Sequence, residues 1–346
     1  MKKFILLTTI LALFNISYSQ EDIKVLFLGN SYTYVNNLPV IIEELATGSN
    51  KTIYHESVCP GGCTLFQHVE NEASLSKIRN GNWDFVVLQE QSQLPSIDYY
   101  RHNAMKPAYQ ALYDTIMLYN PEAKVVGYMT WGRQYGGQQC VNFGEGLYCS
   151  ADFADFNHMQ DTMSVAYCEC AYQTDSYVAP VGDAWKAALN SDPEIILHSS
   201  DQSHPSYDGS YLAACVFYAV LWNESPIGAY HNSQIDASKA EFLQTIADEV
   251  VFNNLDKWNI DNVNVNEIEI IDYDIISNPD SDSIIIKNPN GRSADVKILN
   301  INGVLITEKN IHTNDCININ NASGIYLIQI TDKELRNQYV KKIIKF

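Results

Sequence analysis

The chain has 346 residues, of which 46% are hydrophobic and 18% are charged, so it is long enough to fold around one large core and a smaller one. Its 41 acidic residues outnumber its 22 basic residues and give a formal net charge of −19. Such a surface repels phosphate groups, so we predict no nucleic-acid partner and no binding to anionic membranes.

The first 19 residues have the pattern of a secretory signal peptide. Lys2 and Lys3 precede an apolar run, and Ser17 and Ser19 are small residues at the positions that a signal peptidase recognises. We therefore predict that residues 1–19 are removed and that the mature chain is exported. The apolar run is shorter than the roughly 20 residues that cross a bilayer, and we expect no transmembrane segment in the mature chain.

Apolar runs typical of buried strands alternate with segments of helical spacing between residues 20 and 258. The predicted strands are 23–28, 52–55, 84–88, 124–129 and 176–180; the predicted helices begin near Leu38 or span 104–119, 153–173 and 209–222. This alternation predicts an α/β domain of the flavodoxin-like kind: a doubly wound parallel sheet sandwich with its functional side chains at the carboxyl ends of the strands.

The pattern changes after Trp258. Residues 259–275 are rich in Asn, Asp and Ile without helical periodicity, and we interpret them as a linker. In residues 276–346, short alternating strands are separated by turn sequences such as Asn302-Gly303. This punctuation predicts hairpins and a small C-terminal β-sandwich.

Eight cysteines in an exported chain favour disulfides. We predict bridges between Cys59 and Cys63 and between Cys140 and Cys149, because each pair brackets a glycine-containing loop that closes a small ring. Cys215 lies in an apolar helix and is predicted to be a buried thiol. No C-x-x-C pair occurs, so we predict no metal site, and no cofactor is indicated.

Two polar segments carry the residue types of a serine hydrolase. Ser31 follows the first predicted strand, at a corner that would present its hydroxyl at the carboxyl edge of the sheet. Asp201 precedes His204 by three residues, which allows the carboxylate to orient the imidazole and stabilise its charge. Each has a structural alternative: Ser31 as a helix cap, Asp201 as a solvent-facing acid and His204 as a loop histidine. In combination the three residues favour an ester hydrolase.

These segments resemble the SGNH hydrolases, also called the GDSL esterase and lipase superfamily. The resemblance covers residues 23–222 and lies in Gly29-Asn30-Ser31-Tyr32-Thr33, in Gly61-Gly62, and in Asp201-x-x-His204-Pro205 followed by Gly209. It implies that Ser31 is the nucleophile and that Asp201 and His204 complete a catalytic triad. It also implies that the amides of Ser31 and Gly62 form part of the oxyanion hole.

The third sequence block departs from the family pattern. Family members continue the buried strand into G-x-N-D, whose Asn side chain donates to the oxyanion; here the strand is followed by Gln89-Glu90-Gln91-Ser92-Gln93. A Gln carries the same amide donor on one more methylene. We therefore expect Gln93 to replace the Asn, with Gln91 as the alternative. The L-Q-E-Q-S sequence suggests a bacterial subfamily of SGNH-like proteins.

Two residues after the fourth predicted strand are candidates for substrate binding. Trp131 and Arg133 would form a platform for a sugar or an acyl group; the alternatives are a core Trp131 and an Arg133 in a surface ion pair. The sequence has no long apolar lid segment, which favours small acyl groups. We predict a secreted serine esterase that acts through an acyl-enzyme and deacetylates carbohydrate. The alternatives are a catalytically silent surface glycan-binding protein, and a lipase or thioesterase.

The C-terminal segment resembles the sorting domains of the type IX secretion system of Bacteroidetes. The match lies in Asn278-Pro279 and in residues 296–303, 324–328 and 341–344. It implies that the secretion machinery is a partner and that the protein is secreted or held at the outer cell surface. A carbohydrate-binding module is the alternative, although no row of aromatic residues is visible on the predicted strands.

Overall fold

The computed structural model describes residues 22–142, 144, 146–260, 274–277, 283–288, 293–300, 305–319, 324–332 and 338–345. The predicted signal peptide and residues 261–273 of the predicted linker lie outside these ranges. The chain divides into two compact units, residues 1–263 and 264–346. Ile260 is buried in the core of the first unit, two residues beyond the predicted boundary at Trp258.

A parallel sheet forms the centre of the first unit. The strands of this unit are β1 (Asp22–Leu28), β2 (Thr52–Val58), β3 (Phe85–Leu88), β4 (Lys124–Tyr128), β5 (Gly137–Val141), β6 (Tyr148–Phe153) and β7 (Tyr177–Ala179). Five of them pair in the parallel order β2-β1-β3-β4-β7, whereas β5 and β6 form a separate antiparallel hairpin. Counted within the sheet, this order is the flavodoxin-like 2-1-3-4-5, which confirms the predicted fold class.

Helices connect the parallel strands and cover the sheet. They are α1 (Ser31–Tyr34), α2 (Leu38–Gly48), α3 (Leu65–Glu70), α4 (Glu72–Asn80), α5 (Asp98–Tyr100), α6 (Lys106–Tyr119), α7 (Phe156–Thr174), α8 (Val181–Ser191), α9 (Tyr207–Trp222) and α10 (Ala237–Phe252). Residues 25–28 of β1 are all buried; because neighbouring side chains point to opposite faces, both faces of the sheet are covered. None of the helices in the described ranges is long and apolar enough to cross a bilayer.

Shorter helical turns complete the first unit. Val35–Asn37, Leu94–Ser96 and Leu255–Trp258 are 3₁₀ turns, and a π-helical turn at Arg101–Met105 leads into α6. Helices α3, α4, α5, α8 and α10 were not predicted from the sequence. Of these, α3 and α4 are short and begin at side-chain caps. Thr64 and Gln67, for example, form a capping box at the start of α3, in which each side chain accepts from the backbone amide of the other residue.

The segment before α9 carries two of the predicted site residues and is tightly closed on itself. Ser206 donates its amide to Leu197 O (2.7 Å) and caps α9 by accepting from Gly209 N (3.1 Å). A Cβ on Gly209 would lie 2.4 Å from Leu197 O, so only glycine allows this close approach of helix and loop. The loop that holds Asp201 and His204 is thus fixed against the start of α9.

Of the two predicted disulfides, one is present. Cys140 and Cys149 pair across the β5–β6 hairpin, as predicted. The predicted bridge between Cys59 and Cys63 is wrong: both are free, with Cys59 Sγ against Phe27 O (3.8 Å) and Cys63 Sγ against Thr64 O (3.6 Å). The turn between them points the two thiols at different carbonyl groups. Cys215 is a buried thiol in α9, as predicted.

The second unit consists of antiparallel strands. They are β8 (Asp274–Ser277), β9 (Ser283–Lys287), β10 (Ala294–Asn300), β11 (Leu305–Ile311), β12 (Asp315–Asn318), β13 (Gly324–Asp332) and β14 (Gln338–Lys345), in sheets of order β12-β9-β8 and β11-β10-β13-β14. Buried side chains from both sheets, such as Ile286, Val296 and Ile328, share one core, as in the predicted β-sandwich. The turn sequences Asn278-Pro279 and Asn302-Gly303 lie outside the described residues.

Candidate active site

Ser31 lies at the carboxyl end of β1, as the first residue of α1. Its neighbour Asn30, not Ser31, caps the helix: the Asn30 side-chain oxygen accepts from Tyr32 N (3.1 Å). The Asn30 side-chain amide donates to Cys63 O (2.9 Å), and Asn30 N donates to the side-chain oxygen of Gln89 (2.8 Å). Buried Asn30 therefore fixes Ser31 between the loops that follow β2 and β3. As a first-turn residue, Ser31 has a backbone amide without an acceptor inside the helix.

The three residues predicted to form a triad meet at one edge of the sheet. Ser31 Oγ lies 2.8 Å from His204 Nε2, and His204 Nδ1 lies 2.5 Å from Asp201 Oδ2. Both ring nitrogens of His204 are thus engaged, one by a hydroxyl and the other by a carboxylate. This is the arrangement in which an imidazole can accept a hydroxyl proton while a carboxylate fixes its tautomer and orientation.

Asp201 accepts several hydrogen bonds besides the one that it forms with the His204 ring. Its Oδ1 accepts from Ser199 Oγ (2.7 Å), Ser203 N (3.0 Å) and His204 N (2.9 Å). Burial by itself would raise the pKa of Asp201, but these bonds and the His204 side chain outweigh it and hold the pKa well below its usual range. Asp201 is therefore ionised, and its carboxylate is held in the orientation in which it accepts from the imidazole.

Gly62 lies in a tight turn that is tied to the Ser31 corner. Cys63 N donates to Pro60 O (3.1 Å), and Cys63 O accepts the Asn30 side-chain amide. Gly62 has a φ of +66°, in the left-handed region that favours glycine, and a Cβ there would meet nothing within 4 Å. The preference for glycine therefore comes from the backbone conformation and not from a lack of space.

Gln89 is fully buried and its side chain is used to hold the Ser31 corner. Its Oε1 accepts from Asn30 N (2.8 Å) and from Thr33 Oγ1 (3.0 Å), and its Nε2 donates to Glu90 O (2.6 Å). Gln89 therefore positions the start of α1 from the end of the neighbouring strand β3.

Glu90 is a buried carboxylate that links two loops of the site. Its Oε1 accepts from Leu65 N (3.1 Å), just after the Gly62 turn, and from Gln91 N (2.6 Å) in the third block. Its Oε2 has no hydrogen-bond partner among the described residues. Burial raises the pKa of Glu90 to about 7, although the two amide bonds oppose this shift. Its protonation state therefore changes near neutral pH.

Gln91 and Gln93 bond to each other rather than to the triad. Gln93 N donates to Gln91 Oε1 (2.7 Å), and Gln91 Nε2 donates weakly to Gln93 Oε1 (3.4 Å). Gln93 Nε2 also donates to Gln139 Oε1 (3.1 Å) on the β5–β6 hairpin. Each carboxamide uses one of its two N–H groups in these bonds, so both remain candidates for the third oxyanion donor.

Trp131 is a buried member of an aromatic stack, with an exposed fraction of 1%. Its ring stacks on Tyr32 (centroids 4.7 Å apart) and on Trp185 (3.9 Å), and its Nε1 donates to Ser203 O (2.9 Å). The prediction that Trp131 contacts the substrate is wrong, because both faces of the ring are covered. The core alternative is the one observed.

Arg133 lies partly buried beside the same stack. Its Nη1 donates to the Tyr32 hydroxyl (2.8 Å), its Nη2 to Ser92 Oγ (3.1 Å) and its Nε to Gln139 Oε1 (3.4 Å). It forms no ion pair with any residue that the structure describes, so the ion-pair alternative is not observed. Arg133 instead joins the Ser31 corner to the third block.

Sequence reasoning gave no role to several residues that shape the site. Gln89 and Glu90 belong to the polar run after β3, and Tyr32 and Ser203 are direct neighbours of Ser31 and His204. A signal was present, because polar residues that follow a strand buried on both faces must lie at the sheet edge.

A cavity of about 220 Å³ lies beside the segments that follow β2 and β3. Phe66, Leu94, Tyr99 and Tyr100 are among its lining residues, and none of the three triad residues lines it. Over the described ranges, no group of three or more His, Cys, Asp or Glu side chains is arranged to hold a metal ion.

Residues 275–345 match the family described as the secretion system C-terminal sorting domain. The match confirms the predicted type IX sorting domain and, with it, export by the type IX machinery to the cell surface or the medium. No curated protein sequence matches the chain.

Among solved structures, the chain is similar to a DUF4886 family protein from Bacteroides uniformis, with 19% identity and a TM-score of 0.55 over 67% of this chain and 95% of that one. A protein from Slackia heliotrinireducens, provisionally assigned as an SGNH hydrolase, is 25% identical, with a TM-score of 0.46 over 58% and 100% of the two chains. An acetylxylan esterase from Geobacillus stearothermophilus is 14% identical, with a TM-score of 0.37 over 56% and 92%. The first of these likenesses supports the α/β fold of the first unit.

Proposed function

We propose that the protein is an exported serine ester hydrolase of the SGNH type, with Ser31 as nucleophile, His204 as general base and Asp201 as its anchor. The observation that carries this proposal is the continuous chain of hydrogen bonds from Ser31 Oγ through His204 to Asp201, of 2.8 Å and 2.5 Å. A serine hydroxyl becomes a nucleophile when a base lies within hydrogen-bond reach and a third group orients that base.

In the proposed mechanism, His204 accepts the proton of Ser31 as Ser31 Oγ attacks the ester carbonyl carbon. The carbonyl oxygen becomes negative and accepts hydrogen bonds from the amides of Ser31 and Gly62 and from the side chain of Gln93 or Gln91. His204 then gives its proton to the leaving alcohol, and an acyl-enzyme remains. A water molecule repeats the sequence, which releases the carboxylic acid and restores Ser31.

Asp201 stabilises the imidazolium that forms during both steps. The low pKa of Asp201 keeps its carboxylate ionised at neutral pH, and its four hydrogen bonds hold the carboxylate in place. The carboxylate therefore needs no reorganisation when the charge on His204 develops.

Replacement of Ser31 by Ala tests the proposal. We expect kcat for 4-nitrophenyl acetate to fall by about four orders of magnitude or more, with an unchanged thermal unfolding curve. Ser191→Ala, at an exposed serine that ends α8, is the matched control and should leave kcat unchanged. Labelling by a fluorophosphonate should require Ser31, which separates an esterase from a catalytically silent glycan-binding protein. Full activity of Ser31→Ala would contradict the proposal.

The acyl group and the alcohol are finer parts of the proposal. Export to the cell surface and the lack of a long apolar lid segment favour acetyl groups on carbohydrate. The cavity beside Phe66 and Leu94 favours a second candidate, hydrolysis of esters with larger apolar acyl groups. A series from nitrophenyl acetate to octanoate distinguishes the two: the highest kcat/KM with acetate supports the first, and with hexanoate or longer the second.

A further inference from the structure

We propose that Arg133 binds a carboxylate on the alcohol part of the substrate, so that the preferred ester is an acylated acidic sugar or another alcohol that carries a carboxylate. This inference rests on the proposed esterase function, because it assigns a further part of the same site.

The first observation is that Arg133 has no acidic partner among the residues that the structure describes, although the chain as a whole is acidic. Three arginines lie in the described ranges, and the other two are ion-paired: Arg79 with Glu72 and Arg101 with Asp98. Within the described part of the chain, the Arg133 guanidinium bonds only to neutral oxygen atoms, although acidic residues outnumber basic ones almost two to one. Its positive charge is therefore available to an anion that comes from outside.

The second observation is the position of the guanidinium relative to the triad. The Tyr32 hydroxyl that accepts from Arg133 also bonds to Ser203 Oγ (2.7 Å), the residue before His204. The Tyr32 ring meets the His204 ring edge to face, with centroids 5.4 Å apart. In the proposed mechanism the leaving alcohol takes its proton from His204, so the alcohol must lie on this side of Ser31. Through Tyr32 and Ser203, Arg133 is thus linked to the His204 side of the site, where the alcohol leaves.

The third observation is that the Arg133 guanidinium is held in place and still has unused N–H donors. A guanidinium has five N–H groups, and three are used by Tyr32, Ser92 and Gln139. The remaining two belong to the two terminal nitrogens, which form the planar fork that matches a carboxylate. Tyr32 is itself fixed by its stack on Trp131, so little side-chain freedom remains to be lost on binding.

The test compares two esters that differ only at C6, which is a carboxylate in one and a hydroxymethyl group in the other: an O-acetylated methyl glycoside of glucuronic acid and the methyl glucoside acetylated at the same hydroxyl. We expect the unaltered protein to favour the acidic ester by roughly ten- to a hundredfold in kcat/KM, mainly through KM. Arg133→Met should abolish this preference, and Arg133→Lys should keep part of it, because the charge remains while the fork is lost. Arg79→Met is the matched control and should leave the ratio unchanged.

Product inhibition gives a measurement that needs no variant. Methyl glucuronide should inhibit hydrolysis of 4-nitrophenyl acetate more strongly than methyl glucoside does, and the difference should shrink as salt is added. Equal turnover of the two sugar esters, or a preference that survives Arg133→Met, would overturn the inference while leaving the esterase intact. Failure to hydrolyse even nitrophenyl acetate would instead overturn the proposed function.

Discussion

The two sides of the candidate site are built from different kinds of polar groups. On one side, Ser31, His204 and Asp201 are three unlike groups, and each offers one suitable partner to the next. On the other side, Gln91 and Gln93 carry identical carboxamides: Gln91 Nε2 donates to Gln93 Oε1, and Gln91 Oε1 accepts from the backbone amide of Gln93. Unlike groups specify their partners by chemistry alone, whereas identical amides leave the choice to the backbone of the loop. The triad side is therefore fixed by sequence, and the amide side by tertiary structure.

The largest expected effect on the triad side comes from a change of Asp201, the residue that anchors His204. Asp201→Asn should lower kcat for nitrophenyl acetate by about 10³- to 10⁴-fold, because an amide can hold His204 in the wrong tautomer and cannot stabilise the imidazolium. The measurement is steady-state kcat with the unfolding curve as a check on folding. Ser199→Ala removes one hydrogen bond to Asp201 and should cost less than about tenfold. A near-normal kcat for Asp201→Asn would show that His204 does not depend on this carboxylate.

The next largest effect concerns the other side of the site and distinguishes Gln91 from Gln93 as the side-chain donor to the oxyanion. If Gln93 donates to the oxyanion, Gln93→Ala should lower kcat by about 10²- to 10³-fold, whereas Gln91→Ala should cost much less; the reverse pattern would assign Gln91. The effect belongs in kcat, because the donor acts on charge that exists only in the transition state. Losses under threefold in both variants would contradict a side-chain donor from this block.

The same contrast explains how much of the molecule the sequence could predict. The parallel strands follow from apolar runs, because these are local patterns. The candidate triad was predicted from the D-x-x-H spacing together with the resemblance to SGNH hydrolases, since the spacing alone is also typical of a solvent-facing acid and a loop histidine. Trp131 was an open case, since its neighbours Tyr32 and Trp185 are distant in sequence.

The failures have the same physical origin. The short Cys59–Cys63 loop looked able to close a ring, but the direction of each thiol depends on the turn between them. The roles of Gln89 and Glu90 depend on amides more than 20 residues away, and no local pattern reveals which amides those are. The type IX sorting domain was recognisable because its motifs are linear.

The third effect tests the buried carboxylate that supports the amide side. Glu90 has a pKa of about 7 in the folded protein, above its ordinary value of 4.5, so the folded state binds more protons than the unfolded state between these values. The contribution of Glu90 to the free energy of unfolding is therefore full below about pH 4 and falls by on the order of 3 kcal/mol as the pH rises through 7. Urea unfolding of the unaltered protein and of Glu90→Gln from pH 4 to 8 measures it.

Glu90→Gln is neutral throughout this range and should lose that part of the pH dependence. Cys63, Tyr167 and Cys170 are titratable groups that interact with Glu90. They do not affect the measurement, because burial raises the pKa of each far above this range. An identical decline in Glu90→Gln would mean that another group titrates. The hydrogen bonds that Glu90 accepts from Leu65 N and Gln91 N would then contribute the same stability at every pH in this range.

The smallest expected effect concerns the hairpin that supports both Gln93 and Arg133 through Gln139. The Cys140–Cys149 bridge closes a short ring, with a sequence separation of 9 residues, and its removal should lower the free energy of unfolding by about 2–3 kcal/mol. Because Gln139 is next to Cys140, kcat/KM should also fall, by several-fold. The variant with both cysteines changed to Ser tests this by urea unfolding and by nitrophenyl acetate kinetics.

Cys316→Ser, at an exposed free thiol in the second unit, is the control for loss of a sulfur atom and should change neither quantity. The direction of the kinetic effect separates two roles of the bridge. If the bridge only stabilises the fold, kcat/KM of the folded double variant stays normal. If the bridge also holds Gln139 in place, kcat/KM falls even at temperatures at which the double variant is folded. The preference for an acidic ester then falls too, because Gln139 contacts Arg133 as well as Gln93. A double variant as stable and as active as the unaltered protein would exclude both roles.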